Sequence, residues 1–246
     1  MSKLVDIEAA KEFMKETLSR VSREELTAIA ADLETKASFF QQHLHPGRIN
    51  QLTEAELTEI FRSVFSTRRH YKSITETQTH EELLQQLNAL LHGEGTVEAR
   101  FSRFVEGVKG GETYIKTDFA GELLHFYNPE SHWMWSRWMW DPAKKTGSIA
   151  LVTTEGFDLQ GEDVGEVYMK VGQGVAFVHS VAEAADFQFI RRSLFGTDVF
   201  LACVYVVYAY TVLRMRMTQE FNKVMPGQTE FTRRLLGVYK LPHVAA

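Results

Sequence analysis

Apolar residues recur at helical spacing through the first half of the chain. Ala10, Phe13, Met14, Leu18 and Val21 share one face of a helix predicted over 5–20, and Leu26, Ile29, Ala30, Leu33, Ala37 and Phe40 share one face of the next. Ser22-x-x-Glu25 opens that second helix as a capping box, in which the hydroxyl takes an early backbone N–H and the carboxylate reaches back to the cap. Its stop is predicted near Gln42, before His45-Pro46-Gly47. Thr53-x-x-Glu56 precedes Leu57, Ile60, Phe61, Val64 and Phe65 on one face. Thr79-x-x-Glu82 precedes Leu83, Leu84, Leu87, Leu90 and Leu91, with Gly93 as the stop. Thr96 starts a stretch with Phe101, Phe104 and Val105, and Asp118 is placed as the cap of a short helix ending at Asn128-Pro129. No sequence period links these helices, which argues against a solenoid.

The pattern changes after Pro129. Residues 131–140 hold all four tryptophans, turn residues follow at 141–147, and SIALVTT is apolar and β-branched. A hairpin with its loop at 141–147 fits; so does a resumed helix carrying Trp135, Trp138 and Met139. A second strand pair fits Val167–Val171 and Val175–Val178 about Gly172-Gln173-Gly174. Helices return with a capping box at Ser180-x-x-Glu183 followed by Phe187, Ile190 and Leu194. An apolar helix is expected from Asp198 to Lys223, and a last one from Glu230 to Val238. The expected fold is mainly α, a multi-helix globular domain with a small antiparallel β insertion near 133–178. One domain over 1–246 is expected, with 1–128, 129–179 and 180–246 as the alternative subdivision.

Composition fits this picture. Five prolines in 246 residues leave few linkers. Residues 199–213 are uncharged, but a membrane span needs about 20 apolar residues and the run reaches that length only by taking in Gly196 and Asp198. It reads as a buried central helix, and no membrane partner is expected. The lone Cys203 can form no internal disulfide and no cysteine-held metal site, and it reads as a small buried hydrophobe. The first residues, MSKLVDIEAAKEFMKE, lack an apolar core of signal-peptide type, so the expected location is cytoplasmic.

Charge is uneven. Residues 155–186 hold seven acids and one Lys170, whereas 61–75 hold Arg62, Arg68, Arg69 and Lys72 with no acid, and 212–240 hold six basic residues against two acidic. The four cations at 62–72 suit phosphate, with Tyr71 available for stacking, and Arg233 and Arg234 could join them; a solvated loop explains the same run. The overall pI of about 6.0 disfavours nucleic acid as a partner.

Candidate chemistry is sparse. Glu122-x-x-His125 puts a carboxylate and an imidazole one helical turn apart, the spacing of di-iron carboxylate bundles, but the second such motif and the two further glutamates are missing. His43 and His45 fit a helix C-terminus as well as a metal. No phosphate loop, nucleophile elbow or activated thiol is present, no cofactor is predicted, and the reading leans away from an enzyme. His132, Trp133, Trp135, Arg137, Trp138 and Trp140 lie within nine residues. Trp and Arg are enriched at binding hot spots, although tryptophans this dense also suit a core.

The stretch from Tyr114 to Trp133, with DFAGELLHFYNPESHW, is similar to segments in the helical domains of DNA-repair glycosylases. The similarity covers under a tenth of the chain. The Gly-rich hairpin and the Lys/Asp pair of those enzymes have no counterpart here.

Three readings of function result. The first is a non-catalytic accessory or interaction subunit, with a protein partner or self-association through the Trp/Arg segment. The second is a nucleic-acid-binding or repair protein using Arg62, Arg68, Arg69 and Lys72. The third is a metalloenzyme built on Glu122 and His125.

Overall fold

The computed structural model describes residues 4–184, 193–216 and 226–239. Five of the first six α-helices start at a side-chain cap, four of them at the positions expected from the sequence, Ser22, Thr53, Thr79 and Thr96. Asp6 accepts from the N–H of Ala9 ahead of α1 (Ile7–Leu18). Ser22 and Glu25 exchange bonds of 2.9 and 3.1 Å at the start of α2 (Arg23–Leu44). Complete capping boxes at Thr53 and Thr79 open α3 (Glu54–Arg62) and α5 (His80–His92), and Thr96 caps α6 (Val97–Gly107). A single turn, α4 (Lys72–Thr75), lies between α3 and α5. The remaining helices are α7 (Thr113–Tyr127), α8 (Ser148–Val152), α9 (Val164–Ala184), α10 (Gly196–Arg216) and α11 (Gln228–Leu235).

The described residues form two compact units, one from 4–33, 138–157, 174–184, 193–216 and 226–239, the other from 34–137 and 158–173. In the first, α10 packs on α1, α8 and α11. Val199, Phe200, Leu201, Ala202 and Val204 are all buried, so the helix is enclosed on nearly every side, and this explains its long uncharged run. Among the described residues no helix is long and apolar enough to cross a membrane. Cys203 is buried here, and burial pushes its thiol up to about 12.

In the second unit α5, α6 and α7 pack on one another. Rings from α2, α3 and α9 pack against α6 and α7: Phe61 stacks on Phe119 at 4.3 Å, Phe101 on Tyr168 at 4.5 Å, and Phe40 lies 5.6 Å from Phe126. α7 is the centre, with every residue from Thr117 to Phe126 buried.

Among the described residues there is no strand or sheet, and the expected β insertion is replaced by irregular chain and helix. Residues 132–136 form no regular element, and their backbone meets helices rather than a second strand. The Trp133 carbonyl accepts from the Tyr168 hydroxyl at 3.2 Å, and the Trp135 carbonyl lies so close to Gly121 that a Cβ there would sit 2.2 Å away. The turn at 141–147 does form, closed by one bridge between Asp141 and Thr146, and it leads into the short α8. The second expected strand pair is the middle of α9. Val167, Val171, Val175 and Val178 are all buried, and their spacing of four, four and three makes one helical stripe. The Asp163 carboxylate starts this helix by accepting from the N–H groups of Gly165 and Glu166. Ser180 and Glu183 therefore lie inside α9 rather than at a helix start; of the helix expected after them, 185–192 fall outside the described residues, as do 217–223 of the apolar helix.

Candidate functional site

On α7 the ionisable side chains at 118, 122 and 125 are spaced to share one face of the helix. Asp118 does not cap the helix, because the backbone is already helical from Thr113. All three groups are buried: Asp118 at 4%, Glu122 at 1% and His125 at 0% exposure. Each is held by a protein group. Lys36 of α2, itself fully buried, places Nζ 2.5 Å from Glu122 Oε2 and 4.1 Å from the centre of the Phe126 ring. The pair satisfies two charges that would otherwise be costly to bury. The Nδ1–H of His125 donates to the His132 carbonyl at 2.8 Å, fixing the turn after α7. Among the described residues no three of His, Cys, Asp or Glu gather to hold a metal ion. His43 and His45 are likewise engaged locally, with the Phe39 carbonyl and the Gly47 N–H.

Asp118 links this interior to the surface. Its Oδ1 accepts from the backbone N–H of Arg137 at 2.7 Å. The Ser66 side chain lies beside the same carboxyl, although its hydroxyl makes no hydrogen bond of good geometry. Burial pushes the Asp118 carboxyl up to about 7; the Arg137 N–H opposes this, the charge of Glu122 adds to it, and Ser66 and the Arg137 guanidinium oppose it. One buried carboxyl therefore bears both on the chain at Arg137 and on the chain at Ser66.

The exposed residues next to these two points of the chain are cationic and aromatic. Arg137 is exposed, and its guanidinium sits 3.7 Å from the centre of the Tyr114 ring. On the Ser66 side, Arg62, Arg68, Arg69, His70 and Lys72 are all exposed. None of Arg62, Arg68, Arg69 and Lys72 has an ion-pair partner among the described residues, and Arg62 alone has a side-chain contact, with Tyr71. Phe65, expected on the buried face of α3, is 45% exposed instead. α3 stops at Arg62, and the Ser63 N–H closes its last turn on the Glu59 carbonyl, so the helical spacing that would have turned Phe65 inward no longer applies.

Comparison with protein-family models, with curated proteins and with solved structures gives no match.

The Trp segment divides between the two units. In the second, Trp135 is 2% exposed and stacks on Phe101 at 5.7 Å, while His132 and Trp133 are half-buried. Burial, with the charges of Arg100 and His125, lowers the His132 pKa. In the first, Trp138 and Trp140 are both 6% exposed, and Trp138 lies 6.2 Å from Tyr205. Three of the four indoles are thus core, leaving Arg137 as the exposed member of the segment. Arg233 and Arg234 are ion-paired with Asp32 and Glu230. A separate pocket of about 180 Å³ lies between α3 and α5, lined among others by Glu54, Gln78 and His80, whose Nε2–H donates to the Leu52 carbonyl.

Sequence reasoning singled out Arg62, Arg68, Arg69, Lys72 and Arg137 but missed Asp118 and Lys36 as buried charges and Phe65 as exposed. Lys36 carried a signal: it lies three residues after Leu33 and four before Phe40, on the apolar face of α2.

Proposed function

We propose that the chain binds nucleic acid through the surface formed by Arg62, Arg68, Arg69 and Lys72, with Arg137 and Tyr114 beside it. The observation that supports this is a concentration of cations without counter-charge. Among the described residues, exposed cations elsewhere are scattered, some ion-paired, as Lys11, Arg20 and Lys109 are, and some not, as Lys15, Arg23, Lys144 and Lys145. Arg62, Arg68, Arg69 and Lys72 lie within eleven residues, with no acid at 61–75 and no ion-pair partner among the described residues. Unpaired, concentrated and flanked by rings, they match what a phosphate backbone needs: point charges that release its condensed counterions. The acidic pI does not conflict, because binding responds to the local field rather than to net charge.

The test is fluorescence anisotropy with a labelled oligonucleotide between 50 and 200 mM salt. About four phosphate contacts to a single strand give a log–log slope near −3, which is roughly a 50-fold loss of affinity over that range. Arg68→Glu with Arg69→Glu should abolish binding while the fold persists. Salt-independent binding, or no binding at low salt, overturns the reading.

A protein-docking role for the Trp/Arg segment, self-association included, has one supporting observation: exposed Arg137 is held on Tyr114, and Arg and Tyr are typical hot-spot residues. Sedimentation velocity of Arg137→Ala separates it, since a self-associating chain would shift towards monomer.

A further inference from the structure

We propose that the nucleic acid taken by this surface is single-stranded and that one of its bases stacks on Phe65; this rests on the reading of the basic surface given above. The local structure presents that ring deliberately. Thr67 is fully buried, and its hydroxyl donates to the Phe61 carbonyl at 2.5 Å. Val64 is also fully buried, and its carbonyl accepts from the Arg68 N–H at 3.0 Å. Those two anchors pin the turn on both sides of Phe65, whose ring stays 45% exposed. A phenyl ring left in water by a pinned turn has not simply failed to find the core.

Its neighbours say what it faces. Arg62 lies three residues before it, Arg68 and Arg69 three and four after, and all three are exposed. An apolar protein surface would gain nothing from three exposed arginines flanking Phe65 in the chain, none with an ion-pair partner among the described residues, whereas a nucleotide offers a flat apolar base and an anionic phosphate together. Tyr71 is less free for this role: it is half-buried, its ring stacks on Phe61 at 6.2 Å, and the Arg62 guanidinium lies 5.7 Å from its centre. A base in a duplex has both faces covered by its neighbours. Stacking on Phe65 therefore requires an unpaired base and selects single strands.

The experiment compares a labelled twelve-residue oligothymidylate with a twelve-base-pair duplex, by anisotropy at low salt, on wild type, Phe65→Ala, Phe65→Trp and Arg68→Ala/Arg69→Ala. Wild type is expected to prefer the single strand. Loss of one base stack should weaken single-strand binding about 5- to 150-fold and leave duplex binding within about twofold, with Phe65→Trp retaining the preference. Because the ring is exposed, these variants keep the fold, which circular dichroism checks. If Arg68→Ala/Arg69→Ala weakens binding and Phe65→Ala does not, the basic surface stands and the stacking inference falls. If Phe65→Ala weakens both probes equally, or alters only sedimentation, the inference also falls. If wild type binds neither probe, both readings fall.

Discussion

Replacing Lys36 by Met should destabilise the protein by about 3–5 kcal/mol. The Lys36 and Glu122 side chains are 0% and 1% exposed, and their charged atoms are 2.5 Å apart. Met matches much of the lysine stem, so the loss of packing is small and the cost is almost wholly electrostatic: a buried carboxylate without its ammonium. Glu122→Gln should sit at the lower end of the same range. The ammonium it leaves behind still faces the Phe126 ring at 4.1 Å and the Phe40 ring at 5.7 Å, and a desolvated cation–π contact of this kind contributes about 2 kcal/mol. The double variant Lys36→Met/Glu122→Gln removes both charges, so its cost should fall well below the sum of the two single costs. Urea unfolding followed by circular dichroism measures all three, with the midpoint shift at constant slope giving each change. Lys36→Met costing under about 1 kcal/mol, or strictly additive single effects, would refute the claim that this pair is buried and coupled.

Three further outcomes follow from neighbouring geometry. Asp118, raised to about 7 from 3.8 chiefly by burial, holds its proton more tightly folded than unfolded, so it contributes stability that is full near pH 4 and is lost as pH rises towards 7; the slope approaches about 1.4 kcal/mol per pH unit, and Asp118→Asn should flatten it in unfolding curves taken from pH 4.5 to 7.5. Gly121→Ala should destabilise by about 1–3 kcal/mol, because the new Cβ would lie 2.2 Å from the Trp135 carbonyl, whereas Gly107→Ala in α6, with nothing nearer than 3.8 Å, should be neutral or stabilising by up to about 1 kcal/mol; thermal or urea unfolding separates the two signs. Cys203, buried and pushed up to about 12, should resist an aromatic disulfide reagent at pH 8 in the native protein and react at once in urea, so rapid native labelling would contradict its place in the core.

The helical half of the fold was legible because capping chemistry is local: Ser22/Glu25, Thr53/Glu56 and Thr79/Glu82 act within one turn, whatever surrounds them. The errors arose where tertiary surroundings decide. Val167, Val171, Val175 and Val178 are β-branched and flank two glycines, so they read as strands, yet their four-residue spacing and the Asp163 cap were the truer signals. The tryptophan segment alternates like a strand, but its backbone is taken up by Tyr168 and by the close approach of Gly121, contacts from distant parts of the chain that no local pattern encodes. The basic stretch at 62–72 was visible as composition. Its lack of acid partners was not, because that depends on where every other carboxylate lies. Phe65 was misplaced because an apolar residue at helical spacing reads as core until the helix is known to stop at Arg62.

Photo-crosslinking tests the proposed nucleic-acid surface most directly. A thiouridine-substituted single strand, crosslinked at low salt and mapped by peptide mass spectrometry, should mark the peptide containing Phe65 to Lys72, with the Arg137 and Tyr114 peptides as secondary sites. Crosslinks confined to other surfaces, or none under conditions in which a known single-strand binder is labelled, would contradict it.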